Sequence, residues 1–224
     1  KLQEHYKRNN MKIFIDFDGV IFNSAEFRKF LREAFVKNGV SAVDFDKTLN
    51  CFSMAKNRRM LVYSPQKQIK ILSKIKKINS EKIEKSVRIL CGSLKKFIFP
   101  DALYFLKNFK TDNLFILSFG DRTFQMEKIK NSKIDKFFGK IIVSTENKLN
   151  LILKTAKKYN FKKGENVIFI DDCPDNLKRV GRIKKSIKTF YVKRQSGSYG
   201  HLSCPDADYE VKNMKEALKI IKKF

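Results

Sequence analysis

Two apolar runs that end abruptly in paired carboxylates constrain this chain more than any other feature. One is Ile13-Phe14-Ile15-Asp16-Phe17-Asp18-Gly19-Val20, near the start; the other, far along the chain, is Val167-Ile168-Phe169-Ile170-Asp171-Asp172. A short apolar run without polar alternation predicts a strand buried on both faces, as in a parallel sheet covered by helices. Acids placed just past such strands lie at the carboxyl edge of the sheet, where open α/β folds hold their ligands. Four clustered carboxylates repel one another unless a cation sits among them. An all-oxygen set suits a hard divalent ion, Mg2+ foremost, and Mg2+ commonly accompanies phosphate.

The rest of the chain supports the same architecture. After a first strand over Lys12–Asp16, a helix is predicted from Ala25 to Asn38, capped by Ser24 and stopped by Gly39. No convincing strand follows until Phe97. Ser64-Pro65 starts a helix running to Lys77, and Ser80 caps another running to Lys96. Pro100 and Asp101 begin a helix to Lys110, and Asp121 caps the helix of Phe124–Ile129. Strands are predicted at Asn113–Leu117, Lys140–Val143, Val167–Ile170, Ile187–Val192 and Tyr209–Val211. A helix from Leu149 to Tyr159 precedes the fourth strand, Pro174 opens the next, and Asn213 with Glu216 forms a capping box for the last. Strand and helix alternate, which predicts a doubly wound parallel α/β sheet carrying an all-helical insertion.

Composition bounds the rest. A chain of 224 residues holds one α/β core and one insertion. No stretch reaches the ~18 apolar residues of a membrane span, and residues 1–10 form a polar tail ahead of Met11, the expected start. Cys51, Cys91, Cys173 and Cys204 are scattered without metal-binding spacing, which predicts free thiols and a cytoplasmic setting. The formal net charge is +26. It admits a polyanionic partner such as nucleic acid. The lysines, however, run from Lys7 to Lys223 on outward helix faces, and no basic run, stacking motif or known binding module accompanies them. That pattern favours a compositional origin.

Taken together, four segments resemble the motifs of the haloacid dehalogenase-like (HAD) superfamily, in order and at suitable spacing over nearly the whole chain. Asp16-Phe17-Asp18-Gly19-Val20 looks like the first, Leu114 to Ser118 the second, Lys148 the third and Ile168 to Asn176 the fourth. The resemblance implies a Rossmann-like core over 11–21 and 97–224 and a helical C1-type cap over 22–96. It implies Asp16 as nucleophile and Asp18 as general acid and then base. Ser118, Gly19, Phe119 and Gly120 are then the phosphate loop, with Lys148 neutralising charge and Lys140 its fallback. Asp16, Asp171, Asp172 and the main-chain carbonyl of Asp18 become the Mg2+ ligands, supported by Asp175 and Asn176. Arg58 and Arg59 are candidate substrate contacts, and Cys51 to Asn57 a loop over the site. Dehalogenases of the family lack an acid where Asp18 stands. The chain departs from the family at Val20, in place of the frequent Thr; at Phe119, in place of Asn; and at Leu149, in place of Pro. The implied activity is Mg2+-dependent hydrolysis of a small phosphorylated metabolite, by a monomer or weak dimer. A nucleic-acid-associated protein or nucleic-acid-end phosphatase using the basic surface, or a phosphomutase on the same scaffold, is the alternative.

Overall fold

A computed structural model describes residues 11–53, 62–162, 164–183 and 186–224. Its centre is a six-stranded sheet, parallel throughout, in the order β3-β2-β1-β4-β5-β6. The strands are β1 (Met11–Ile15), β2 (Leu114–Phe119), β3 (Lys140–Ser144), β4 (Asn166–Asp171), β5 (Ile187–Val192) and β6 (Tyr209–Val211). Between β1 and β2 come α1 (Ser24–Val36), α2 (Ala42–Ser53), α3 (Pro65–Ile75), α4 (Ser80–Cys91) and α5 (Pro100–Leu106). The remaining helices are α6 (Arg122–Asn131), α7 (Lys148–Lys158), α8 (Pro174–Ile183) and α9 (Met214–Ile221).

The unbroken apolar runs supply both faces of the sheet. Ile13, Ile15, Leu114, Ile116, Ile168 and Ile170 face one core with α1, α5, α6 and α9. Their neighbours Phe14, Phe115, Leu117 and Phe169 face the other core with α7 and α8. Period-2 alternation therefore sends the central strands into two apolar layers, the doubly wound α/β arrangement expected from the sequence. In this strand order the chain winds away from the centre in both directions, so the switch point lies between β1 and β4. Register fixes that junction: Ile15 pairs with Ile170, so Asp16 and Asp171 leave the sheet side by side.

Several local expectations shift for identifiable reasons. Asn23, not Ser24, caps α1, accepting from the Glu26 N–H at 3.1 Å. Asn79, not Ser80, caps α4, accepting from the Lys82 N–H at 3.0 Å. In α4 the helix ends at Cys91 rather than Lys96, because Gly92 closes it and Lys95–Phe97 tighten into a 3-10 turn. The capping box at α9 is displaced by one residue: Asn213 accepts from the Glu216 N–H, while Glu216 accepts from the Lys212 N–H. Helix α2 had no counterpart in the sequence reading, and Cys51, placed there in a loop, lies within it. Its fixing contacts lie outside it: Phe45 is fully buried with its ring centre 5.1 Å from that of Phe35 on α1, and the buried Gln68 amide donates to Phe45 O at 2.9 Å and Thr48 Oγ1 at 3.0 Å. The outgoing and returning segments of the insertion run side by side, joined by Asn23 N–H to Phe97 O and Phe99 N–H to Ile21 O. Among the described residues, no helix is long and apolar enough to cross a membrane.

Candidate active site

The switch point gathers the carboxylates. Asp16 follows β1 and donates its N–H to Ile170 O at 2.9 Å, which ties it to β4. Asp171 ends β4, fully buried, and accepts from the Cys173 N–H at 2.8 Å and the Asn176 amide at 3.1 Å. One oxygen from each of Asp16, Asp171 and Asp172 lies within 4.8 Å of the others. Lys148, the first residue of α7, is buried with its Nζ 2.9 Å from Asp16 Oδ1 and 2.7 Å from Asp171 Oδ2. The fallback Lys140 is exposed at the opposite, amino-terminal end of β3. Asp175 is exposed in the first turn of α8, where a negative charge suits the helix dipole.

Gly19 makes this close packing possible. Its φ is +79°, and a Cβ there would stand 2.0 Å from Asp172 Oδ2. Only a residue without a side chain lets the loop cross over the Asp172 carboxylate.

Asp18 faces a different set of partners. Its Oδ1 accepts from Ser24 Oγ at 2.5 Å and Lys128 Nζ at 2.5 Å, and its Oδ2 accepts from Gln125 Nε2 at 2.7 Å. Ser24 opens α1, whereas Gln125 and Lys128 lie one turn apart on α6. Sequence reasoning missed all three as site residues. The available signal was the spacing of Asp121, Gln125 and Lys128, which places three polar side chains on one face of α6.

Ser118 lies near the end of β2, with its Oγ buried and without a hydrogen-bond partner among the described residues. Such an orphan donor at a sheet edge is poised for an incoming oxygen. Phe119 is 41% exposed, and its carbonyl accepts from Gln125 Nε2 at 3.2 Å. Gly120 follows with φ +150°. Arg58, Arg59 and most of the segment proposed to cover the site lie outside the described residues.

Burial and crowding set the charge states. Burial pushes the Asp16 carboxyl up to about 7, with Lys148 opposing the shift and the Asp171 charge adding to it. Burial, then the charges of Asp16 and Asp171, raise Asp172 well above its ordinary value. Burial also acts against ionised Asp18, but the Lys128 ammonium and the hydrogen bonds of Lys128, Ser24 and Gln125 outweigh it and hold that carboxyl low. Burial disfavours the Lys148 ammonium, yet Asp16 and Asp171 raise its affinity for the proton. Four carboxylates thus meet two buried ammoniums, leaving a formal deficit of two positive charges when all are ionised. An all-oxygen donor set with that deficit fits a divalent hard cation such as Mg2+, held by Asp16, Asp171 and Asp172.

That electrostatic frustration has a measurable consequence. Folded, metal-free Asp16 keeps its proton to about pH 7, whereas an unfolded-chain Asp loses it near 3.8. Between those values the folded state binds more proton, so the metal-free protein loses stability as pH rises through 7. Mg2+ offsets the same repulsion. Melting curves should therefore show a larger Mg2+-induced rise in Tm at pH 8 than at pH 5, with a concentration dependence set by binding to the folded state. An equal rise at both pH values would refute the assignment of Asp16 to the cation site.

Comparison with known proteins agrees with this geometry. A family model described as "Haloacid dehalogenase-like hydrolase" matches residues 13–179. No curated protein sequence matches the chain. Among solved structures, a haloacid dehalogenase-like hydrolase from Burkholderia xenovorans LB400 superposes with a TM-score of 0.70 at 17% identity, covering 94% of this chain and 96% of that one. The magnesium-bound HAD-hydrolase YfnB of Bacillus subtilis gives 0.62 at 15% identity, over 94% and 98%. The L-2-haloacid dehalogenase of Xanthobacter autotrophicus gives 0.62 at 12%, also over 94% and 98%. These likenesses establish the fold, and the family match spans all four carboxylates, Ser118 and Lys148: the chain belongs to the haloacid dehalogenase-like hydrolase family.

Proposed function

We propose that this hydrolase is a Mg2+-dependent phosphatase that cleaves small phosphomonoesters through an aspartyl-phosphate on Asp16. The observation that carries the reading is the second acid, Asp18, two positions beyond Asp16 and held at the mouth of the carboxylate cluster by three donors. Dehalogenases of the resembled family lack an acid at that position. A bound Mg2+ would supply charge neutralisation and orientation for the phosphoryl oxygens.

The residues divide the chemistry. The Asp16 carboxylate attacks phosphorus, forming an O–P bond while the bond to the leaving oxygen breaks. Asp18, resting as the carboxylate, takes a proton from solvent as substrate binds and passes it to that oxygen. The approaching phosphate dianion favours this step, because negative charge nearby raises a carboxylate's proton affinity. Asp18 then takes a proton from the water that attacks phosphorus, and Asp16 is released with inorganic phosphate. Lys148 balances charge on Asp16, and the unpartnered Ser118 hydroxyl donates to a phosphoryl oxygen. Helices α1 to α4 serve as a cap that excludes water and selects the substrate in the cytoplasm.

Nucleic acid remains the second reading, on the net charge of +26. Against it, exposed lysines are dispersed over separate helices, for example Lys29, Lys74, Lys85, Lys130, Lys157 and Lys219. The charge is better assigned to raising encounter rates with small anions.

The test is a panel of phosphorylated metabolites, nucleic-acid ends and 2-haloacids, assayed with Mg2+ and with excess chelator. The expected result is inorganic phosphate released from at least one small phosphomonoester only with the cation. Halide release without phosphatase turnover, phosphoryl transfer without net hydrolysis, or full activity in chelator would contradict the reading.

A further inference from the structure

Lys128 is a costly residue that the catalytic scheme leaves unused. It is 4% exposed, and its Nζ lies 5.2, 4.7, 5.7 and 5.5 Å from the ring centres of Phe17, Phe22, Phe27 and Phe124. Among the described residues its ion-pair partner is Asp18, at 2.5 Å. Taking an ammonium out of water into such a cage is expensive. The ring faces offset part of that cost, and Asp18 offsets more. Even so, a buried ion pair is seldom more stable than apolar side chains of the same volume. A leucine or methionine at 128 would fill this four-ring space without needing a partner. Stability therefore does not account for the lysine.

Its geometry supplies another account. The aromatic cage leaves the Lys128 side chain little room, and its Nζ meets the Ser24 hydroxyl on one Asp18 carboxylate oxygen. Gln125, one turn earlier on α6, holds the other oxygen. The same Gln125 amide holds the Phe119 carbonyl in the phosphate loop. Helix α6 thus sets Asp18 and that loop in one frame, and Ser24 links the frame to the first turn of α1.

We propose that Lys128 is a positioning residue for this reaction, fixing the Asp18 carboxylate at the distance from the leaving oxygen that proton transfer requires. The proposal rests on the phosphatase reading. It also implies a consequence that a purely structural lysine lacks. Loss of Lys128 should harm substrates in proportion to how much their leaving oxygen needs a proton.

The experiment compares Lys128→Met, Asp18→Asn and the double variant on an alkyl phosphate and an aryl phosphate, reading kcat/KM in the presence of Mg2+. Methionine fits an aromatic cage without charge. Misplacing a reacting group typically costs about 10²-fold. Lys128→Met should lose about that much on the alkyl phosphate and about tenfold or less on the aryl phosphate. The double variant, which buries no unpaired charge, should match Asp18→Asn within about twofold on both substrates, since residues acting through one group are not additive. Equal losses on the two substrates, or a double variant much slower than Asp18→Asn, would overturn the positioning role while leaving the phosphatase reading intact. A wild-type protein without turnover on either ester would overturn both.

Discussion

Asp16→Asn should reduce phosphatase turnover by about three orders of magnitude or more while leaving the fold intact, because an amide is a poor nucleophile at phosphorus. The substitution is nearly isosteric. Asp16 is tied to the sheet through its own N–H to Ile170 O, a bond that the change does not touch. It also removes one of three mutually repelling buried carboxylates. The variant should therefore melt no lower than the parent in the absence of Mg2+. Steady-state kinetics with thermal melts checks both halves. Near-normal turnover in a folded variant would rule out covalent catalysis through Asp16.

Asp18→Asn should slow turnover by about 10²–10⁴-fold, the usual range for a lost general acid–base group. Asparagine can still accept from Ser24 and Lys128 through its amide oxygen, but its N–H then stands where the other Asp18 oxygen accepts from Gln125. The two half-reactions should not suffer equally. An aryl leaving group departs with little help, whereas water attack on the aspartyl-phosphate still needs a base. The phosphorylated protein should accumulate, giving a burst of aryl alcohol followed by a slow steady rate. A uniform slowing without a burst would show that Asp18 acts before the intermediate or not at all.

The strands and the acids were legible because both depend on local pattern. An apolar run ending in carboxylates specifies a buried strand and its edge, and Ile13 to Asp18 and Val167 to Asp172 carry that signal unaided. The doubly wound parallel class followed from alternation, though not the order of the strands, and the register of Ile15 on Ile170 brings Asp16 beside Asp171 as the resemblance implied. Helix boundaries were less legible. An asparagine precedes the serine at the start of both α1 and α4, and either can cap. The contacts of Asp18 were faint for a different reason. In a chain this rich in lysine, only the shared helix face with Asp121 and Gln125 distinguishes Lys128 from its solvated neighbour Lys130. What separates them in the fold is four phenyl rings, Phe124 from the same helix and Phe17, Phe22 and Phe27 from a distant stretch near the start of the chain. Helix α2 was missed similarly, since Gln68 and Phe35 hold it from two other helices.

In the proposed reaction Asp16 carries the phosphoryl group. The most direct test is to mix the Asp18→Asn variant with Mg2+ and an aryl phosphate, quench in acid during the slow phase, and map the modified peptide by mass spectrometry. A phosphoryl group on the peptide containing Asp16, absent when Asp16 is also changed to Asn, is the predicted result. Turnover of the same substrate with no modified Asp16 at any quench time would contradict it.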